Sequence, residues 1–177
     1  MNPTFPPITL RPEKPEDQPF IYEITKLAFK QENESILIDK LRNSEAFIQE
    51  LSIVALYEEQ IIGHILFTHL TIQSEGKTWP SLTLAPVSVH PQWQNKGIGG
   101  NLIHHGLETA KEIGFSSVVV LGHPTYYPRF GFQPASKWGI ICPFPAPDEA
   151  FMALELFDGS LSDISGKVIY PPAFTEV

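Results

Sequence analysis

An apolar run from Leu82 to Val89, the glycine-spaced segment Gln94-Asn-Lys-Gly97-Ile-Gly99-Gly100, and an amphipathic stretch from Asn101 to Ile113 follow one another near the middle of the chain. The first reads as a strand and the last has helical spacing. Glycines between them permit positive φ and let the backbone come close to a ligand. Successive N–H groups at a helix N-terminus, where the helix dipole adds positive potential, make an anion site. Any fold for this chain has to join strand and helix head to tail around that loop, and the loop reads as a phosphate cradle.

Two common phosphate loops fail on spacing. The dinucleotide fingerprint needs a third glycine three residues after the second, and that position is Leu102. A nucleoside-triphosphate loop would end in Gly-Lys-Ser/Thr, but Gly100 is followed by Asn101 and Leu102. The other candidate, Gly76-Lys77-Thr78, needs a glycine where Thr71 stands, and no helical pattern follows it. What remains is Gln94-x-x-Gly97-x-Gly99 behind a strand that carries Val87-x-Val89 and a turn with Pro91.

Around this segment the chain of 177 residues has the length of one domain, with enough apolar material for a sizeable core. Ile8 to Arg11 reads as a short strand, Glu13 to Asp17 as a polar turn, and Phe20–Phe29 and Glu34–Arg42 as helices. Leu51–Tyr57 and Ile61–Ile72 are strand-like and flank Glu58-Glu59-Gln60, a hairpin signal without Asn-Gly or Asp-Gly. Ser74–Thr78 makes the next turn, and Ser116–Gly122 has the continuous apolar run of a strand buried on both faces. Tyr126–Phe132 predicts one helical turn stopped by glycine, and Phe151–Phe157 and Gly166–Tyr170 are the last strand candidates. Six of the 17 prolines lie between Pro3 and Pro19, an extended lead-in.

A net charge of −8 argues against nonspecific nucleic-acid binding. No apolar run reaches membrane-spanning length, and the first residues lack the pattern of a signal peptide. The single Cys142 forms no internal disulfide and suits a reducing compartment, so a cytoplasmic protein is expected.

The glycine loop, the strand before it, the helix after it, Ile8-Thr-Leu-Arg11 with Asp17, the hairpin ending in Gly63-His64-Ile65, and Tyr127-x-x-x-Gly131-Phe132 together resemble the GNAT superfamily of acyl-CoA N-acyltransferases over nearly the full length. The branch most similar carries a Tyr-Tyr-x-Arg-Phe-Gly-Phe motif, here Tyr126–Phe132, and a tail like Tyr170-Pro-Pro-Ala-Phe174. The resemblance implies a single α/β domain over residues 1–177, with the order β-α-α-β-β-β-α-β-α-β-β and a mixed sheet that splays open at the cofactor. It implies acetyl-CoA as acyl donor and direct attack by an amine in a ternary complex. The acceptor, a small-molecule or a protein amine, stays open, as do a homodimer and the use of longer acyl groups. A quiet CoA-binding module of the same fold is the rival reading.

The same resemblance assigns residues. Backbone N–H groups from Gln94, Asn95, Lys96, Gly97, Ile98, Gly99, Gly100 and Asn101 would hold the two phosphates. Val87 and Val89, with Ser88 between them, would pair their backbone with the pantetheine arm, and Phe130 would join the cofactor contacts. Tyr127 would protonate the leaving thiolate, while Tyr126 is a structural or substrate-facing neighbour. Pro86 cannot donate to a ladder and suits an edge, a bulge or a splay.

The general base is the open position. A lysine-type amine must lose a proton at neutral pH, costing roughly 4.6 kcal/mol, whereas an α-amine costs only about 1 kcal/mol. Many relatives place a glutamate on the strand before the loop, but Leu82–Val89 has no carboxylate. Water, His64, His69 or His123 could relay the proton, and His123 stands where relatives carry Asn or Asp. No Gly-x-Ser-x-Gly elbow occurs, His104 and His105 do not form an i, i+4 pair, and no metal is expected. Pro143–Pro147 reads as a surface loop or a pocket wall.

Overall fold

The computed structural model describes residues 7–177, so the start of the proline-rich lead-in, with Pro3 and Pro6, lies outside the described residues, while Pro12, Pro15 and Pro19 fall in a strand, a 3₁₀ turn and a helix rather than in an extended lead-in. The strands are β1 (Thr9–Pro12), β2 (Ser52–Tyr57), β3 (Gln60–Ser74), β4 (Lys77–Val89), β5 (Ser117–Leu121), β6 (Gln133–Pro134), β7 (Ile140–Ile141), β8 (Phe151–Glu155) and β9 (Gly166–Ile169). They form one mixed sheet in the order β1-β2-β3-β4-β5-β8-β6, with β9 pairing the far end of β3 and β7 pairing β9. Only β4–β5 and β7–β9 are parallel; the other pairs are antiparallel.

Alternation along the strands divides the core between two faces. Val54, Leu56 and Leu66 pack under α1 (Gln18–Phe29) and α2 (Asn33–Arg42), against Ile21, Ile24, Ile38 and Leu41. Ile53, Ile65, Phe67, Leu82 and Val118 pack on the opposite face against α3 (Ile98–Glu112), through Ile98, Leu102, Ile103 and Leu107. Each such side chain contributes about 1.5–3 kcal/mol when fully buried, so both helical layers are held chiefly by their apolar stripes. A third cluster, with Leu70, Ile72, Val119, Ile140, Phe151 and Val168, closes the end of the sheet away from the glycine loop.

The structure departs from the expectations at two points and adds to them at two more. First, α3 begins at Ile98 rather than Asn101, so Ile98, Gly99 and Gly100 belong to the helix. Two glycines lower helix propensity by about 1 kcal/mol each, but Ile98 is buried and pulls the first turn onto the core. Second, the segment after β5 makes the single helical turn stopped by glycine that its residues predict, as 3₁₀ over Tyr127–Phe130, and not the fourth helix that the resemblance implied. Pro128 near its start and Gly131 at φ +100° bound it tightly.

Third, the polar turn at Glu13–Asp17 forms, with Lys14, Pro15 and Glu16 exposed, but buries its two ends: Asp17 accepts from Arg11 at 2.7 and 3.2 Å and from the Lys14 N–H at 2.7 Å. Burial alone would raise the Asp17 carboxyl, but the Arg11 guanidinium and that N–H hold it below the usual carboxylate range. Fourth, β6 and β7 are two-residue strands that the sequence does not announce. The Glu58-Glu59 turn does form, with both residues at positive φ (+46° and +67°) and Tyr57 facing Gln60. That conformation costs about 1–2 kcal/mol per non-glycine residue, which the buried strands on either side offset.

Candidate functional site

β4 is fully paired along one edge and open along part of the other. It runs beside β3 from Lys77 to Val89, but beside β5 only at Leu82 and Thr83. Between the pairs Phe67↔Leu84 and Ile65↔Val87, β3 supplies one residue and β4 two, Ala85 and Pro86. This is a β-bulge, and Pro86, lacking an N–H, suits it. Past the bulge β4 leaves β5, and the sheet opens.

Backbone direction on the open edge follows from one hydrogen bond. The His90 N–H donates to Ile62 O at 2.8 Å, so His90 faces β3. Period-two alternation turns Ser88 the same way and turns Val87 and Val89 outward. The Val89 carbonyl confirms this direction by accepting from Gln94 Nε2 at 3.0 Å. The N–H groups of Val87 and Val89 and the Val87 carbonyl therefore line the gap as unpaired strand-edge groups.

The loop that follows is built to aim a helix end at the same gap. His90 Nδ1 accepts the Gln92 N–H at 3.1 Å and its carbonyl accepts the Trp93 N–H at 2.7 Å, folding Pro91–Trp93 into a 3₁₀ turn. Asn95 (φ +63°) and Gly97 (φ +82°) then reverse the chain, and Gly97 caps α3. The Asn101 N–H closes the first helical turn onto Gly97 O at 3.0 Å. The N–H groups of Ile98, Gly99 and Gly100 come before that bond and have no helical acceptor.

Across the gap stands the 3₁₀ segment after β5. The Tyr126 and Tyr127 N–H groups donate to His123 O at 3.1 and 3.3 Å. Arg129 donates from Nε to Tyr126 O at 3.0 Å and lays its guanidinium 4.6 Å from the Tyr126 ring centroid. A Cβ on Gly99 would lie 3.4 Å from Tyr126 Oη, and one on Gly100 would lie 3.7 Å from the Phe130 ring. Both are ordinary van der Waals distances, so the two rings lie against the first turn of α3, and His104, one turn further on, meets Phe130 edge-on at 5.0 Å.

Together these walls enclose a cleft of about 960 Å³. Of the residues singled out from the sequence, Val87, Ser88, Val89, Gln94, Asn95, Gly97, Ile98, Gly99, Gly100, Asn101, His123 and Phe130 border it. Lys96 does not; it stands 5.9 Å over the Trp93 ring. Tyr127 sits behind Tyr126 and is 8 % exposed, with its ring against Gly122 and edge-on to Phe132. Burial, with Tyr126 adding, pushes its hydroxyl pKa up to about 12. Tyr126 itself faces the cleft, and burial raises its pKa while Arg129 opposes the rise.

Of the candidate bases, His123 is at the cleft, His69 is exposed with its ring 5.0 Å from Phe115, and His64 is fully buried. Pro143–Pro147 lies away from the cleft. Residues that sequence reasoning did not place here are Ala28 and Phe29 at the end of α1, Trp93, His104 and Arg129. Arg129 and His104 carried a local signal, one inside the tyrosine motif and the other four residues past Gly100 on the helix. Ala28 and Phe29 carried none.

Among the described residues no group of three His, Cys, Asp or Glu side chains could hold a metal, and no helix is long and apolar enough to cross a membrane.

A mixed sheet opened beside one strand, with a glycine-capped helix pointing into the opening, is the architecture of the acyl-CoA acyltransferases. Residues 9–135 match the family model for the GNAT acetyltransferase domain, and the chain belongs to that family. It is similar to two Escherichia coli K12 proteins named as uncharacterized N-acetyltransferases. YjhQ is 42 % identical over 130 residues, covering 73 % of this chain and 72 % of YjhQ. YhbS is 32 % identical over 166 residues, covering 93 % and 97 %. The solved structure of E. coli YhbS in complex with CoA superposes with a TM-score of 0.90 at 28 % identity, covering 99 % of this chain and 96 % of that one. A GNAT acetyltransferase from Brucella melitensis in complex with acetyl-CoA gives 0.77 at 32 % identity, covering 96 % and 99 %.

Proposed function

We propose that this protein transfers the acetyl group of acetyl-CoA to an amine by direct attack within a ternary complex. The observation that carries the reading is the continuity of the open β4 edge with the free end of α3. Val87 and Val89 offer strand-type backbone pairing to the pantetheine amides. Three free N–H groups and the helix dipole then meet the pyrophosphate where the loop turns. Charge-assisted hydrogen bonds of this kind contribute about 1.5–3 kcal/mol each. CoA-bound relatives of nearly full coverage support the same donor for this chain.

The thioester then lies in the gap between the β4 bulge and the end of β5. A neutral amine attacks its carbonyl carbon, the C–N bond forms, and the C–S bond breaks. The departing thiolate takes its proton from Tyr127, which packs on Gly122 at the end of β5 behind the cleft wall, so the proton reaches the sulfur through one water or a shift of the Tyr126 ring. A hydroxyl held up to about 12 stays protonated at physiological pH but is a weaker acid than a free phenol, so it gives its proton only as the C–S bond breaks. Tyr126 and Arg129 belong to the phosphate end, over the first turn of α3.

Calorimetry with acetyl-CoA on wild type and Gly97→Trp tests the cradle. Wild type binds and the variant, strained at positive φ and filled by the indole, does not; a folded wild type without binding would sink the reading. A panel of amines with thiol detection then looks for the acceptor. Tyr127→Phe lowers kcat about 10-fold or more with KM for acetyl-CoA unchanged, and Tyr126→Phe acts on affinity. If Tyr126→Phe carries the kcat loss instead, the two roles are reversed.

A further inference from the structure

The side of β4 that faces α1 holds a group the transfer chemistry above leaves unused. His64, in the middle of β3, stands in register between Val54 of β2 and Ser88 of β4. Its Nε2 is 2.8 Å from Ser52 Oγ, and Ser52 donates its one hydroxyl hydrogen to Glu13 Oε1. Arg42 donates to that carboxylate at 2.9 and 3.2 Å, so both Glu13 oxygens serve as acceptors. Ser52 Oγ must then accept from the His64 Nε2–H, which assigns the tautomer and leaves Nδ1 as a bare acceptor. Nδ1 is fully buried and has no partner among the described residues.

Buried polar atoms are nearly always paired, and an orphan calls for a donor. Ser88, the cross-strand neighbour of His64, shares one hydrogen bond with Thr25 of α1, Oγ to Oγ1 at 3.1 Å. Two hydroxyls carry two hydrogens and that bond uses one, so one is left to give. Ser88 also borders the cleft, although it is buried and its hydroxyl lies against Thr25.

We propose that Ser88, His64, Ser52 and Glu13 form a proton path from the acceptor side of the cleft to a buried carboxylate, taking the place of the carboxylate that β4 lacks. The proposal rests on the acetyl-transfer reading. Ser88 meets the acceptor; His64, Ser52 and Glu13 are positioning residues that act through it. When the amine nitrogen bonds the thioester carbon it becomes cationic and strongly acidic, so a weak acceptor suffices. Its proton passes to Ser88 Oγ as the Ser88 hydrogen passes to His64 Nδ1 across one water. The Nε2–H moves to Ser52, and the Ser52 hydrogen moves to Glu13, which becomes neutral beside Arg42. The thiolate is protonated by Tyr127. After the products leave, Glu13 returns its proton to solvent along the same path and Tyr127 regains one, so the cycle closes without net proton change.

Burial pushes His64 down to about 3, with Arg42 adding to the shift and Asp17 opposing it. Those two and Glu13 are the charged groups around it, while α1 brings Ile21, Ile24 and Thr25 to this face. An imidazole so placed is a poor resting base. It is well placed to accept on one nitrogen while releasing from the other, since it never holds the charge.

Side-chain ¹⁵N NMR of His64 in wild type and Ser88→Ala is the direct test, because Ser88→Ala leaves the Ser52 and Glu13 bonds intact. The Nδ1 resonance shows an accepted hydrogen bond in wild type and moves toward the free-acceptor value in the variant; identical resonances overturn the path. Thiol release from acetyl-CoA is then followed with benzylamine, and with water alone as acceptor, across a pH series. Ser88→Ala and Glu13→Gln lower kcat about tenfold or more with KM for acetyl-CoA unchanged, and Ser88→Thr restores it. A purely structural network predicts lower melting temperatures with unchanged kcat in the folded variants, and that result refutes the proposal. Acetyl-CoA affinity by calorimetry separates this failure from failure of the acetyltransferase reading, which alone predicts no binding by wild type.

Discussion

The two edges of β4 are made of the same backbone and do opposite things. Along β3 its N–H and C=O groups are used in a ladder, and the side chains on the α1 face are knotted to one another: Thr25 to Ser88, His64 to Ser52, Glu13 to Arg42. Along β5 the ladder stops after Thr83, and the groups of Val87 and Val89 are left to a ligand. Polar groups sealed from water are nearly always satisfied within the protein, with His64 Nδ1 a group left over on this side, whereas groups at a cleft can wait for a partner. Stability and binding are thereby assigned to opposite edges of one strand.

The largest effect that would break this division lies on the closed side. Arg42→Ala leaves the Glu13 carboxylate buried without its cation, and denaturant unfolding should show a loss of about 3–5 kcal/mol. Acetyl-CoA affinity of the folded fraction should be unchanged; a large loss of affinity would mean the two edges are energetically one.

Next in size is the pH dependence of the same side. His64 has a folded pKa of about 3 against 6.5 in the unfolded chain, so between those values the unfolded state binds the extra proton. Its contribution is fully present above about 6.5 and is lost as pH falls toward 3, at up to roughly 1.4 kcal/mol per pH unit. Asp17, held below its usual range, adds a loss that begins near its ordinary value of 3.8, at the lower end of the same window. Melting curves of wild type and His64→Gln between those limits should diverge, the variant having the flatter slope; parallel curves would show that His64 is not what titrates.

The smallest and sharpest measure is amide hydrogen exchange along β4. Ser88 and His90 should be protected in the free protein and unaffected by acetyl-CoA. Val87, Val89, Ile98, Gly99 and Gly100 should exchange readily and slow by about tenfold or more when acetyl-CoA binds. Protection of Val87 and Val89 before the ligand is added would show that the open edge is already closed.

What could be read from the sequence follows the range of each interaction. Strand, glycine loop and helix are neighbours in the chain, so Val87, Gly97 and Gly99 announce themselves through local spacing. The start of α3 was misjudged because Gly99 and Gly100 argue locally against helix, while the burial of Ile98 argues for it from across the core. The Tyr126–Tyr127 pair was visible as a motif, yet only the fold decides that Tyr126 lines the cleft and Tyr127 lies behind it on Gly122. Glu13, Arg42, Ser52 and His64 come from four elements, and no spacing in the chain predicts their meeting. Ala28 and Phe29 reach the cleft only because α1 ends there.

The extra residue at Ala85-Pro86 also sets a parity. Before it, even-numbered Leu82 and Leu84 face the α3 side; after it, odd-numbered Val87 and Val89 do, and Ser88 turns to α1. Remove one residue there and the count from Val87 onward shifts by one, as any one-residue slip in a strand exchanges its two faces. The Ser88 hydroxyl would then turn toward α3, the valines toward Thr25, and the backbone groups that await a ligand would point into β3. Which chemistry faces the cleft is therefore indexed by a single inserted residue, much as a reading frame is, with no change in any of the residues that carry it.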